Sequence, residues 1–151
     1  MYHKVKDKII LGDFTFLEII LVVVIIVILA GIFVLIFNPG QKLVEARNAR
    51  RNADANAILN AVYQYITDNK GVVPKSIIAS STEICKTGKA CGDLIDLSFL
   101  TSTTKYFMTI PVDPAGVAGN GTGYYILRAV NGSVTVTAPH AEQGVTISAT
   151  R

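Results

Sequence analysis

Gly12-Asp13-Phe14-Thr15-Phe16-Leu17-Glu18 leads directly into Ile19 to Phe37, nineteen residues without a polar side chain. As a helix rising ~1.5 Å per residue, that run is ~28 Å long, close to the ~30 Å hydrocarbon core of a bilayer. Its Ile and Val content disfavours an isolated helix in water. In lipid a lone strand leaves its amides unsatisfied, so the helix is the viable form. Glu18 stands at the lip of this segment. A charge inside a membrane helix costs ~3 kcal/mol at the centre and less near an end, so such a residue usually has a partner.

On the N-terminal side, residues 1 to 12 form a short polar leader ending in Ile9-Ile10-Leu11. It fits a conventional secretory signal poorly, because the apolar run is too long and no small-x-small cleavage site follows. On the other side, Phe37-Asn38-Pro39-Gly40 is expected to kink or melt the helix. A helix then resumes near Gln41 and continues to Asp68-Asn69, with Gly71 as its stop. Ala46, Ala49, Ala53, Ala57 and Ala61 form a small-residue stripe along it. Ala55, Ile58, Leu59, Val62 and Ile66 form a bulkier one. The bulky stripe is expected to pack on the chain's own domain. Residues 41 to 54, with four basic side chains and few large apolar ones, are assigned to packing between subunits.

These residues carry a family resemblance. Phe14-Thr15-Phe16-Leu17-Glu18, behind Gly12 and a Lys-bearing leader, resembles the class III processing signal of type IV pilins and type II secretion pseudopilins. The runs 43 to 51 and 57 to 65 are similar to the helix that follows it in that family, so the resemblance spans most of the N-terminal half. It implies cleavage by a prepilin peptidase after a glycine and N-methylation of the first mature phenylalanine. It also implies pairing of the fifth mature residue, a glutamate, with a neighbouring subunit's terminal amine. Counting from Phe14, Glu18 is fifth. Here Asp13 stands before Phe14 and Gly12 comes one residue early. Either the cut follows Gly12, leaving Asp13 at the terminus and Glu18 sixth, or processing is impaired. The processing residues are therefore Gly12, Asp13 and Phe14, and the assembly residues Phe14 and Glu18.

The implied partners are other copies of the chain, minor pilins, the prepilin peptidase, an inner-membrane assembly platform and the bilayer. The implied location is the inner membrane, single-pass with the head outside the cytoplasm, and an extracellular filament after assembly. A pseudopilin of a secretion or DNA-uptake system is the alternative within the family. A monomeric binding domain merely tethered by the helix is the alternative outside it.

Charge bears on partners too. The net charge is +3, yet Lys4, Lys6 and Lys8 precede the apolar run and Lys42, Arg47, Arg50 and Arg51 follow it. From Asn52 onward seven basic residues balance seven acidic ones, so the head is neutral. A nucleic-acid-binding head would need its basic surplus on the domain itself. Three basic residues before the span against four after it leave orientation to other features.

Cys85 and Cys91 are the only cysteines. As free thiols they imply nothing about compartment. As a metal site they need two more ligands, and the only histidines are His3 and His140. As a disulfide, the expected state, they close a short loop and place the head in an oxidising compartment. Asp93, Asp96 and Asp113 lack the close spacing of a calcium loop, and no metal is expected.

The remainder reads as a small antiparallel sheet. Residues 71 to 123 read as irregular, with Leu97, Phe99, Leu100, Tyr106, Phe107 and Ile110 covering the sheet. Tyr124 to Ala138 reads as a hairpin about Asn131-Gly132, in the type I′ turn that Asn-Gly favours. Val145 to Ser148 is the expected third strand. Asn120-Gly121-Thr122 and Asn131-Gly132-Ser133 match the glycosylation acceptor pattern, but both are explained as turns, the second too tight to be modified. No Gly-x-Ser-x-Gly elbow, phosphate-cradling loop or paired histidines appear, so neither an enzyme nor a cofactor is expected.

The expected fold is α+β: a long N-terminal helix, transmembrane in its first half, packed on a small antiparallel sheet as in type IV pilins. Its divisions are a leader (1–12), a transmembrane and assembly helix (13–38), the helix's continuation (39–71) and a globular domain (72–151).

Overall fold

The computed structural model describes residues 14–37 and 39–151. The chain divides into two compact units between Pro39 and Gly40. The first contains α1, Phe16–Phe37, whose 22 residues span ~33 Å. The large apolar side chains described on it are exposed, from 47% at Ile20 to 80% at Phe16. An apolar surface of this extent is far larger than a monomer keeps in water. The helix is long and apolar enough to cross a membrane.

The second unit is an α+β domain. Its helix α2, Pro39–Asp68, opens on the last residue of the first unit, a proline, whose fixed φ and missing N–H suit a first helical position. The helix thus restarts two residues before the expected Gln41. Asn38, inside the expected kink, lies outside the described residues. At the other end Gly71 N–H donates to Ile66 O at 2.8 Å and Lys70 N–H to Thr67 O at 3.3 Å. That pair of bonds is a Schellman closure, and it puts Lys70, not a glycine, in the left-handed position at φ 58°. Gly71 follows at φ 83°.

Four strands form one antiparallel sheet in the order β1 (Thr82–Cys85), β2 (Gly121–Arg128), β3 (Val134–Thr137), β4 (Ser148–Thr150). A one-turn helix, α3 (Ser98–Thr101), lies in the connection from β1 to β2. The whole bulky stripe of α2 (Ala55, Ile58, Leu59, Val62 and Ile66) is buried in one core with Tyr124 and Ile126 of β2 and Val134 and Val136 of β3. Of the small-residue stripe, Ala46, Ala49 and Ala53 stay exposed and only Ala61 is buried. Leu97, Leu100 and Ile110 close the core, with Phe99, Tyr106 and Phe107 half-buried against it, as the sequence leads one to expect. Tyr65 packs on Phe99 with ring centroids 4.4 Å apart.

Three details of the sheet differ from expectation. β1 falls in the stretch read as irregular, because four residues are too few to show an alternation. The Asn131-Gly132 turn is not type I′. Asn131 is not among the residues with positive φ, and only Gly132, at 88°, is left-handed in this turn. Gly132 N–H donates to Ala129 O at 2.9 Å and Ala129 N–H to Ser133 O at 2.8 Å. This is a three-residue loop, a tight turn followed by a left-handed glycine. The reason is local: Asn131 Oδ1 accepts from Ser133 N–H at 3.0 Å and from Ser133 Oγ–H at 2.8 Å, which supports the alternative conformation. Finally, β4 starts at Ser148. Val145 is exposed, and Ile147, buried, supplies the carbonyl that accepts from Ala138 N–H.

Candidate functional site

The first unit carries the residues of the candidate assembly site. Gly12 and Asp13 lie outside the described residues, so the processing junction is not described. Phe14 is 71% exposed just before α1, and Glu18 is exposed in the helix's first turn. Phe14, Ile19, Val22 and Val23 line a shallow apolar surface beside Glu18. Thr15 Oγ1 accepts from Glu18 N–H at 3.3 Å. Thr15 is the N-cap and Glu18 the third helical residue, the spacing of a capping box. The carboxylate also lies at the positive end of the helix dipole. Sequence reasoning missed the role of Thr15, although Thr-x-x-Glu before an apolar run was there to be read.

In the head, residues assigned above to packing between subunits turn inward. Arg51 and Asp113 are fully buried and paired in a fork: Nε–Oδ2 is 2.7 Å and Nη2–Oδ1 is 3.0 Å. Arg51 Nη1 donates to Asn48 Oδ1 at 2.9 Å and to Glu142 Oε1 at 3.0 Å. Arg47 donates to both oxygens of Glu142, at 2.7 and 2.5 Å. Asn48 and Glu142 exchange two further bonds, both at 3.0 Å, through the Glu142 main chain. Asp113 also accepts from Ala115 N–H at 2.9 Å. One face of α2 is thereby fastened to two loops that lie more than sixty residues away in sequence.

The electrostatics follow from these contacts. Burial alone would raise the Asp113 carboxyl, but hydrogen bonds from Arg51 and Ala115 hold it below its ordinary value. The bonds from Arg47 and then Arg51 hold Glu142 down to about 2. Arg51 is raised, chiefly by its bonds to Asp113. Tyr124 donates its hydroxyl to Asp54 at 2.8 Å, and its burial together with that bond pushes its ionisation up.

Cys85 and Cys91 form a disulfide with their Cα atoms 5.4 Å apart. Beside it, Lys86 Nζ donates to Val117 O at 2.8 Å and to Gly119 O at 2.9 Å, tying the disulfide loop to the entry of β2. The three aspartates considered for calcium do not converge. Asp113 is spent on Arg51, Asp96 Oδ1 accepts from Ser98 N–H, and no group of three or more potential metal ligands exists among the described residues. His140 is exposed in a loop.

An open groove of the head runs along Tyr63, Gln64, Thr67, Asp68, Tyr106 and Arg151. Asp68 accepts from Lys105 at 2.6 Å and from the Tyr106 hydroxyl at 2.5 Å, so its charge is already satisfied. The Tyr63 hydroxyl donates to Arg151 O. Comparison with protein-family models, with curated proteins and with solved structures finds no match to this chain.

Proposed function

We propose that this chain is a pilin-like structural subunit that polymerises from the inner membrane into an extracytoplasmic filament. The observation that carries the reading is α1: an apolar helix, exposed at its described large side chains and bearing Glu18, followed in sequence by an α+β head with its own core. Such a helix must be covered by lipid before assembly and by like helices after it. In a bundle, Glu18 would be costly unless a neighbouring subunit's amine supplied the opposite charge. The disulfide supports an extracytoplasmic head. The resemblance of residues 14 to 18 to the pilin and pseudopilin signal points the same way, and a pseudopilus is a filament on the same principle. The partners on this reading are further copies of the chain, minor pilins, the peptidase and the assembly platform.

One observation favours the plain membrane tether instead. The Thr15–Glu18 bond gives Glu18 a local capping role that needs no neighbour. Glu18→Gln separates the two, because glutamine also serves at that position of a capping box but carries no charge. On the filament reading, electron microscopy of sheared surface material shows filaments lost in Glu18→Gln and in Glu18→Ala, with membrane insertion intact by fractionation. Lys75→Ala, at an exposed head position, keeps them. Normal filaments from Glu18→Gln would refute the charge-pairing reading, and the absence of filaments from the unaltered chain would favour the tether.

A further inference from the structure

The chain contains two Asn-Gly dipeptides in the head, Asn120-Gly121 and Asn131-Gly132, and the fold treats them in opposite ways. Asn-Gly is the dipeptide most open to main-chain attack on the side-chain amide, because glycine places no side chain beside the attacking nitrogen. Whether that attack occurs depends on the freedom of the backbone around it.

At the tip of the β2–β3 hairpin, Gly132 is half-buried, with nothing within 4 Å of where a Cβ on it would lie. Val130 is fully exposed and Asn131 is exposed. The attacking nitrogen, that of Gly132, is held by a single bond to Ala129 O, inside a three-residue loop that can flex while the ladder on either side stays closed. The electrophile is prepared as well. Asn131 Oδ1 receives Ser133 N–H at 3.0 Å and Ser133 Oγ–H at 2.8 Å. Both donors sit on the oxygen that gains negative charge when Cγ is attacked, the arrangement that stabilises a tetrahedral oxyanion.

Asn120 is exposed as well, but its contacts differ. Its Nδ2 donates to Ala90 O at 2.9 Å, and its own carbonyl accepts from Lys86 N–H at 2.7 Å. Gly121 is buried in β2, in register with Cys85 of the disulfide. The space beside Gly121 is filled by the Glu83 carboxylate, which a Cβ there would strike. That negative charge opposes formation of the anionic amide nitrogen the attack requires.

We propose that Asn131 is a hydrolytic self-modification site of this protein, converting to aspartate and isoaspartate while Asn120 is protected. The Gly132 nitrogen gives its proton to solvent base and bonds to Asn131 Cγ. The Cγ–Nδ2 bond breaks, and Nδ2 leaves with an added proton as ammonia, closing a five-membered succinimide. Water then adds to one ring carbonyl and opens the ring, giving aspartate or isoaspartate. One water is consumed overall, one ammonia is released, and nothing is oxidised or reduced. The product adds one negative charge to the hairpin tip. In the isoaspartyl form it also inserts a carbon into the main chain of the turn. The proposal is independent of whether the chain assembles into filaments.

The test is peptide mapping by mass spectrometry of the full-length protein in detergent micelles, incubated at mildly alkaline pH and sampled over time. Isoaspartate is identified by its separate chromatographic peak and fragmentation. Conversion at residue 131 should be at least about tenfold faster than at residue 120, which must first open locally. In denaturant the two sites should convert at similar rates, because the protection of Asn120 comes from the fold. Ser133→Ala should slow conversion at 131 by roughly three- to tenfold, the rate equivalent of one hydrogen bond. Equal rates at the two sites in the native protein, or a rate ratio that persists in denaturant, would overturn the proposal. An unchanged or faster rate in Ser133→Ala would overturn the role given to its hydroxyl.

Discussion

Asp113→Asn tests the ionic contact on which the head's architecture turns. The substitution keeps the shape of the side chain but removes its charge and sets an amide NH2 where an oxygen faces the guanidinium. Arg51 is wholly buried, so its lost bond is not replaced by water. Removing one partner of a buried pair costs ~3–5 kcal/mol. Glu142 still contacts Arg51 Nη1, and Asn can still accept one bond, which places the loss near ~3 kcal/mol. For a domain of this size, a few degrees of melting temperature per kcal/mol give a drop of roughly 10–15 °C.

The assay is thermal unfolding of the full-length protein in detergent micelles, followed by near-ultraviolet tyrosine circular dichroism. Five of the six tyrosines lie in the head and α1 contains none, so the signal reports chiefly the head. Lys42→Ala, which breaks an exposed pair with Glu45, should leave the midpoint unchanged. The double change Arg51→Met with Asp113→Leu should be less damaging than Asp113→Asn alone, because it removes both buried charges together. A drop under ~3 °C for Asp113→Asn, where ~10 °C is expected, would refute the reasoning. So would a double variant whose loss is the sum of the two single losses.

Acid should weaken the head as pH falls from about 4.5 toward about 2, the ordinary and folded values for Glu142. The depressed folded value means that the stabilisation is complete above the ordinary value and disappears below the folded one. Glu142→Gln should flatten the fall of the melting temperature across that window. Lys70→Gly should raise stability by ~0.5–1 kcal/mol in denaturant titration, because Lys70 occupies the left-handed position of the Schellman closure. Gly121→Ala should destabilise the head in the same titration, since its Cβ meets the Glu83 carboxylate that accepts from Gly123 N–H. Reduction of Cys85–Cys91 should cost ~2 kcal/mol in the loop-closure picture, and intact mass before and after reduction should differ by two hydrogens.

Local chemistry was enough to determine several features. An unbroken apolar run dictates a helix suited to lipid, and α1 is that helix. The 3.6-residue period of Ala55, Ile58, Leu59, Val62 and Ile66 dictated which face of α2 is buried. The alternation of Val134 and Val136 with threonines dictated the face of β3. Cys85 and Cys91, being six residues apart, could meet without help from the rest of the chain.

What only the tertiary structure decided are contacts between distant segments. Arg47 and Arg51 read as part of an intersubunit face, because nothing near them in sequence shows that Asp113 and Glu142 come to meet them. β1 becomes a strand through its pairing with β2, not through a pattern of its own. The two Asn-Gly dipeptides are chemically alike as sequence. One is held beside a disulfide and a carboxylate, and the other sits at a hairpin tip, bonded only within its own turn. Periodicity reports which residues share a face of one element, and charge and register across elements depend on which segments the collapsed core brings together.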